Sequence, residues 1–133
     1  MSTADDDRAG AGERADTAEP VATKPVVGAD AFAALDLRVG QVVDVEDFPE
    51  ARQPAYKLTV DFGDLGTLRT SAQVTNYARQ DLVGRHVVGA VNLGVRRIAG
   101  FESQFLVLGG LAEDGTVHLL RPDAPLPPGA PVA

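Results

Sequence analysis

Five basic side chains are the residues in this sequence best suited to contact a charged ligand. Arg96 and Arg97 stand together in a segment that the pattern predicts to be a loop between two strands, where barrels often carry their binding function. Arg38, Lys57 and Arg69 fall at polar positions of three other predicted strands, and pairing would bring them onto one face. Guanidinium and ammonium groups bind phosphate oxygens by charge and by hydrogen bonds. A phosphate-binding face is one interpretation, and scattered solubilising charges are the other.

Catalytic and metal chemistry have little support in the sequence. His86 and His118 lie in apolar strand patterns without an acid or nucleophile at a motif spacing, and no zinc-protease, nucleophile-elbow or phosphate-loop motif occurs. Cysteine is absent, which excludes thiolate nucleophiles and cysteine zinc sites. The four acids between positions 44 and 50 are interpreted as a solvated strand edge. We expect a non-enzymatic protein without metal or cofactor.

The charge distribution sets a condition on any nucleic-acid function. The formal net charge is −7, and residues 1–30 hold seven acidic and three basic side chains. The rest of the chain is therefore only mildly acidic. Binding of RNA must depend on local clustering of bases, since bulk attraction to phosphate is not available.

The composition divides the chain into a tail and one domain. Residues 1–28 are acidic and polar with scarcely any large apolar side chain, so they are predicted to be a disordered acidic tail. They lack the apolar core of a secretory signal, and no run of about 18 apolar residues occurs anywhere, which favours a cytoplasmic protein without a membrane segment. Residues 29–133 are predicted to form one domain, beginning with a short helix over 31–35 that Asp30 caps.

Alternating and apolar runs predict an all-β domain with little helix. In the first strand, Leu37, Val39, Gln41, Val43 and Val45 are expected to share one face. Residues 56–62 give the cleanest alternation, and with residues 68–72 the three strands form a meander. Further elements are expected as a helical turn at 77–83 and strands at 86–92, 105–108 and 117–120, the last two joined through Asp114-Gly115.

Strands of this number and length predict a five-stranded barrel of the OB-fold type with extended terminal segments. The Gly109-Gly110 pair is interpreted as a turn after a strand. The proline-rich segment from Pro122 to the C-terminus is predicted to be an extended strap, lying over the barrel or over a partner subunit.

Several short motifs, in this order, resemble the CsaA-type chaperone and tRNA-binding domain family. They read FPEAR at 48–52, PAYKL at 54–58, DFG at 61–63, SAQ at 71–73, RRIAG at 96–100 and LVLG at 106–109. That family is related to the tRNA-binding OB modules of some methionyl-tRNA and phenylalanyl-tRNA synthetases. The resemblance runs from about Phe32 to the C-terminus.

The resemblance implies an OB-fold homodimer whose contact is built by both chain ends, with a basic tRNA-binding surface and a role in assisting export of unfolded precursor proteins. The matching positions implied to bind RNA combine basic groups with Ser, Gln and Asn side chains. They are Arg38, Lys57, Arg69, Ser71, Gln73, Asn92, Arg96, Arg97 and Ser103.

Two alternative functions stay open from the sequence. A chaperone would bind unfolded polypeptide through an exposed apolar groove containing Phe48, Phe101 and Phe105. A stand-alone subunit of a synthetase complex would use its surface to dock a protein partner.

Four departures from the family pattern change the basic loop or the charge around it, and two of them remove positive charge. The loop reads GVRR at 94–97 without the usual proline, and Asn76-Tyr77 stand where a Lys-Arg pair is common. Glu102 takes the place of a common lysine, and Gln104 that of a glutamate. Weaker RNA binding than in relatives, or none, is therefore expected.

Overall fold

The computed structural model describes residues 22–133, which form one antiparallel barrel with short accessory elements. Five strands are hydrogen-bonded in the order β3-β2-β1-β4-β7, and β5-β6 and β8-β9 form two small hairpins. The elements are α1 (Ala29–Ala33), β1 (Leu37–Asp47), β2 (Tyr56–Asp61), a 3-10 turn (Gly63–Leu65), β3 (Thr67–Ala72), α2 (Arg79–Leu82), β4 (His86–Ala90), β5 (Arg96–Ile98), β6 (Phe101–Ser103), β7 (Leu106–Val107), β8 (Gly109–Leu111) and β9 (Val117–Leu119).

The meander of β1, β2 and β3 confirms the alternation seen in the sequence. Leu58 and Val60 of β2, with Phe62 directly after it, are fully buried at 0% exposure. Their neighbours along β2 are only half-buried, because successive side chains of a strand point to opposite faces. The barrel interior is therefore built on the inward-facing residues of its second strand.

A β-bulge in β1 overturns the predicted facing of that strand. The pairing with β2 shifts register between Val42 and Asp44, so the alternation reverses there. Val42 and Val45 are buried at 1% and 5%, whereas Val43 is 47% exposed. The sequence alternation placed Val43 with Val45, which is wrong because one extra residue changes the face of everything after it.

Close packing and side-chain bonds bring the ends of the sheet nearly together. The rings of Phe62 and Phe105 meet edge to face at 4.9 Å. A Cβ on Gly89 would lie 2.8 Å from the Phe105 ring, so only glycine fits there. Across the gap, Gln104 donates its backbone N–H to Arg69 O at 2.7 Å, and the Thr70 hydroxyl donates to Phe105 O at 2.7 Å. The result is a nearly closed five-stranded barrel of the OB type, as predicted.

The C-terminal strap lies along the first residues of β1, on the side where β2 does not pair with them. Backbone bonds join Val39 N to Ala130 O at 2.8 Å, Gly129 N to Val39 O at 2.7 Å and Val132 N to Leu37 O at 3.0 Å. The prediction of an extended segment over the barrel is confirmed. It covers Val39, which is buried at 2% on the outer side of the sheet.

Two smaller elements differ from the sequence prediction. The first helix covers Ala29–Ala33 with Gly28 at its N-cap, so Asp30 lies in the first turn and caps nothing. Gly109 and Gly110 belong to β8, which pairs with β9, rather than to a turn. A Cβ on Gly109 would lie 2.6 Å from Val117, so glycine is required by a neighbouring strand.

Candidate nucleic-acid interface

Lys57 and Arg69 meet on the outer face of β2 and β3, as the sequence predicted for this pair. Lys57 Nζ lies 4.8 Å from the centre of the Phe48 ring and 5.3 Å from that of Phe101. Arg69 Cζ lies 4.9 Å from the Phe101 ring, and its Nη2 is 3.4 Å from Glu46 Oε1. Both cations are held on aromatic faces, which limits their motion and leaves their outer hydrogens available.

Phe48 and Phe101 form a second, smaller core rather than an exposed groove. They are 4% and 9% exposed, and their rings contact each other at 5.4 Å with Ala55 buried beside them. This contact ties the 48–55 loop to the β5-β6 hairpin. Phe105 is 4% exposed and packs in the main core. The exposed apolar groove expected of these three phenylalanines is therefore wrong, since their rings bury against one another and against the barrel.

The β5-β6 hairpin presents the basic pair on opposite sides. Arg97 is paired across the strands with Glu102, at 2.7 Å between Nη1 and Oε2, and both side chains are more than half exposed. Arg96 stands opposite Ser103 and carries no ion pair with an acid of residues 22–133. The two neighbouring arginines thus differ: one is neutralised locally and the other is not.

Ser103 links β6 to β3 by hydrogen bonds of its side chain. It is 7% exposed, and its Oγ is 2.9 Å from Oγ1 of the buried Thr70. The same hydroxyl accepts from the backbone N–H of Ser71 at 3.4 Å. Its hydrogen bonds are made within the barrel, and Ser103 also lines a surface depression together with Ser71 and Arg96.

A groove of about 380 Å³ lies where the 48–55 loop, β3 and the β5-β6 hairpin meet, and we call it the loop groove. Ser71, Gln73 and Arg96, three of the residues expected to bind RNA, come together on its wall. A neighbouring depression of about 280 Å³ shares Ser71 and Arg96 and extends the groove along Leu93–Val95. The lining of the loop groove is Ala51, Arg52, Gln53, Ala55, Ser71, Ala72, Gln73, Val74, Arg96, Ile98, Leu106, Val107 and Val117.

Arg52 and Gln53 were missed by the sequence reasoning as site residues. Both are exposed on the loop between β1 and β2, and both line the loop groove. Arg52 ends the FPEAR motif and Gln53 follows it, and the OB-fold itself gave a signal, since its loops after the first and fourth strands border the ligand face. Arg52, like Arg96, forms no ion pair with an acid of the described part of the chain.

Arg38 and Asn92 lie apart from this groove and hold the start of β1. Arg38 Nε donates to Asp36 Oδ1 at 2.7 Å, and Asp36 raises the pKa of Arg38 through that bond. Asn92 accepts from Asp36 N and donates to Ala34 O, both at 2.8 Å. Glu46 pairs with Lys57 across β1 and β2, so it marks the position of Lys57 along β1. Arg38 lies eight residues before Glu46, roughly 26 Å away along an extended strand. The predicted convergence of Arg38 with Lys57 is therefore wrong.

The loop groove combines three chemical capacities. Two arginines without acid partners offer bidentate donors to phosphate or to guanine edges. Two glutamines and a serine offer donors and acceptors to base edges, and an apolar floor suits a flat ring.

Within residues 22–133, no group of three or more His, Asp or Glu side chains is arranged to hold a metal ion. No helix in this part of the chain is long and apolar enough to cross a membrane.

Comparison with known proteins gives concordant matches. A family model described as "Putative tRNA binding domain" matches residues 37–131. The crystal structure of chaperone CsaA from Bacillus anthracis str. Ames superposes with a TM-score of 0.79 at 45% identity, covering 82% of this chain and 100% of that one. CsaA from Picrophilus torridus gives 0.77 at 42% identity, covering 81% and 100%.

Longer relatives contain a similar segment. Methionine–tRNA ligase of Methanococcus maripaludis is 36% identical over 107 residues, which are 80% of this chain and 16% of that protein. The ligase of Thermococcus onnurineus is 40% identical over 100 residues, covering 74% of this chain and 13% of that protein. The chain thus spans about a sixth of the length of the curated relatives that it matches.

Proposed function

Because the chain belongs to the tRNA-binding domain family of the CsaA type, we propose that it binds tRNA through the loop groove and acts by binding alone, without catalysis. The convergence of Arg52, Ser71, Gln73 and Arg96 between two loops of an OB barrel is the observation that carries this proposal. Arg52 and Arg96 are 44 positions apart in the sequence and meet there only in the folded chain.

The candidate phosphate contacts differ in whether their positive charge is already paired with an acid. Arg52 and Arg96 are exposed and free of acid partners within residues 22–133, so binding a phosphate requires breaking no ion pair. Arg69 and Arg97 are paired with Glu46 and Glu102, and a phosphate must compete with these carboxylates. We infer that the groove arginines supply most of the phosphate attraction and that Arg69 and Arg97, with Lys57, add a weaker outer contribution.

The polar groups of the groove are assigned to the bases. Gln53 and Gln73 present amides, and Ser71 a hydroxyl, beside an apolar floor that includes Leu106 and Val107. Unpaired RNA bases are recognised by this combination of a flat apolar contact and edge hydrogen bonds. A loop or a single-stranded end of tRNA fits such a groove, whereas a paired stem does not. Arg38, Asn92 and Ser103 are proposed to support the fold without contacting RNA.

A salt series with total tRNA tests the proposal. Filter binding of the wild type is expected to weaken steeply with salt, and Arg96→Ala is expected to reduce the magnitude of the slope by about 0.7, the value of one lost contact to a single-stranded phosphate. Gln73→Ala should weaken binding with an unchanged slope, because an amide releases no counterion.

Arg79→Ala is the matched control, since it removes the same charge from an exposed arginine that lies outside the loop groove. Equal slopes for Arg96→Ala and Arg79→Ala would contradict the assignment of the groove. A wild type that does not bind at low salt would contradict tRNA binding itself.

The two ends of the described chain support a homodimer as part of this proposal. Phe32 of α1, Leu120 and Leu126 are 50%, 48% and 40% exposed, and with Val132 they line an apolar hollow of about 520 Å³ beside the strap. We call this the end patch. Apolar clusters of this kind are usually covered by a partner. A second copy would bury the patch and place two loop grooves on one particle, which strengthens binding to one RNA by effective concentration.

Light scattering tests the dimer with matched substitutions. Phe32→Asp is expected to give a monomer, because a charge in a buried apolar contact is costly. Leu65→Asp is the control, since Leu65 is 43% exposed on the turn after β2 and lies outside the end patch. A wild type of monomer mass at micromolar concentration would refute the dimer, and the loop-groove test would still stand.

The chaperone alternative receives less support from this surface. Phe48, Phe101 and Phe105 are all buried, so they are not available to hold a client polypeptide.

A further inference from the structure

A second group of cations without acid partners surrounds a small pocket outside the loop groove. The pocket measures about 210 Å³ and lies between Gly84–His86 and Arg121–Pro125. Arg85, His86 and Arg121 all line it, together with one acid, Asp123. We propose that this 85/121 pocket binds a phosphate oxyanion of an RNA backbone, which deepens the proposed function and rests on it.

Neither arginine of the pocket, Arg85 or Arg121, is ion-paired within residues 22–133, although Arg38, Arg69, Arg79 and Arg97 each have an acid within ion-pair distance. Arg85 Nε is buried and has no hydrogen-bond acceptor in this part of the chain. A half-buried guanidinium in an acidic protein would ordinarily attract a carboxylate of the same chain. The pocket instead leaves this charge for an external anion.

The wall that carries Arg85 is rigid. The Arg85 guanidinium stacks over the Tyr77 ring with its Cζ 5.0 Å from the ring centre. Gly84 N donates to Val42 O at 2.8 Å and Val42 N donates to Arg85 O at 2.9 Å, which fixes this segment to β1. The donors of Arg85 are therefore held in place before a ligand arrives, and little ordering entropy is lost on binding.

The opposite wall is also restrained. Pro122 and Pro125 flank Asp123, and proline fixes its own φ near −65°. Arg121 comes two residues after the end of β9, so its backbone is anchored by the β8-β9 hairpin. Two restrained walls with a cation on each form a site with defined spacing.

The net charge selects the ligand class. Counting His86 as neutral, Arg85 and Arg121 against Asp123 leave the pocket with one positive charge. A phosphodiester carries one negative charge and leaves the occupied pocket neutral, whereas a phosphate monoester carries nearly two and leaves an uncompensated negative charge beside Asp123 in a partly buried site. His86 adds an N–H donor for the remaining oxygen. The backbone of a nucleic acid is the source that the balance favours.

The position of the pocket relates it to the proposed dimer. Arg121 and Pro122 line both the 85/121 pocket and the end patch. A phosphate bound there would lie beside the subunit boundary. An RNA that contacts both protomers would bind one such pocket where it crosses the subunit boundary.

Amide NMR of the full chain tests the pocket directly. Dimethyl phosphate, a diester probe, and inorganic phosphate are titrated separately at constant ionic strength. We expect the largest shifts at the amides of Gly84–His86 and of Arg121, Asp123 and Ala124, with a stronger response to the diester. Arg121→Gln and His86→Gln should each reduce these shifts at least threefold, and Arg79→Gln should leave them unchanged. Light scattering checks that the variants keep the wild-type mass, and His86→Gln alters no residue of the end patch.

The tRNA salt series then separates the possible sources of the anion. If RNA supplies the phosphate, Arg121→Gln reduces the magnitude of the slope by about 0.7–0.9 relative to Arg79→Gln. Pocket shifts with an unchanged slope would overturn the RNA source and assign the site to a free phosphate compound. No shift at the pocket amides, or an equal shift with chloride, would overturn the site altogether. A wild type that fails to bind tRNA but shows the diester response refutes the proposed function while leaving the anion pocket in place.

Discussion

Removing the Ser103 hydroxyl distinguishes a structural hydrogen bond from an RNA contact, because the two roles predict opposite effects on stability and on tRNA binding. Ser103→Ala deletes a bond of 2.9 Å to Thr70 inside the barrel. Thr70→Val preserves shape but removes the hydroxyl that also donates to Phe105 O at 2.7 Å. A net hydrogen bond contributes about 1 kcal/mol, and a buried carbonyl left without a donor costs about 1–3 kcal/mol.

These values predict the outcome of a double-mutant cycle. We expect the free energy of unfolding to fall by about 1 kcal/mol in Ser103→Ala and by about 2 kcal/mol in Thr70→Val. The double variant should fall by about 2 kcal/mol rather than by the sum, because both single changes remove the same bond.

Urea unfolding followed by linear extrapolation measures all four proteins, and a constant m-value shows that only stability has changed. The tRNA salt slope of Ser103→Ala should equal that of the wild type. Strictly additive free energies would refute the shared bond. Unchanged stability together with weakened tRNA binding would show that Ser103 contacts RNA after all.

Further expectations follow from other contacts. Glu102→Gln should strengthen tRNA binding and increase the magnitude of the salt slope by up to about 0.7–0.9, since it frees the Arg97 that Glu102 now neutralises; an unchanged slope would mean that Arg97 does not reach the RNA. Phe101→Ala should reduce the free energy of unfolding by about 3–5 kcal/mol in urea, because the ring is buried; a loss below about 1 kcal/mol would indicate an exposed surface. Ala99 has a left-handed φ of 48°, a strained conformation that costs an alanine about 1 kcal/mol. Ala99→Gly should therefore raise the melting temperature, and a lower melting temperature would refute this strain. The backbone N–H of Thr116 holds the pKa of Asp114 below its usual value, so the charged form stabilises the fold above about pH 4, and this contribution is lost as pH falls through the folded-state pKa; thermal melts should show Asp114→Asn less stable than the wild type at pH 7 and converging with it at acid pH, and a gap independent of pH would contradict the assignment.

The barrel could be predicted from the sequence because its signals are local. The alternation over residues 56–62 needs only the strand period, and it identified Leu58, Val60 and Phe62 as inward-facing. Asp114-Gly115 marked a hairpin turn through the φ of 88° that glycine tolerates. The bulge in β1 has no such signal, since Val42 and Val43 are the same residue type and only pairing with β2 decides which of them faces inward.

The binding residues were predictable in part. The family resemblance marked Ser71 and Gln73, residue type also marked Arg96, and the structure brings the three into one groove. Arg38 and Asn92 had equally suitable chemistry, but bonds to Asp36 engage both of them elsewhere. Phe48 and Phe101 looked like loop aromatics in the sequence because the partner of each ring lies about 50 residues away.

The sequence by itself determined the principal barrel strands and which side chains are capable of binding phosphate, because strand period, turn chemistry and side-chain charge are properties of neighbouring residues. The tertiary structure alone decided which of those charges are available. Arg97 and Arg69 are paired with acids across strands, whereas Arg52, Arg85, Arg96 and Arg121 have no such partner in the described chain. The physical reason is that an ion pair depends on distances of a few ångströms between residues on different elements, and these distances exist only once the barrel has closed.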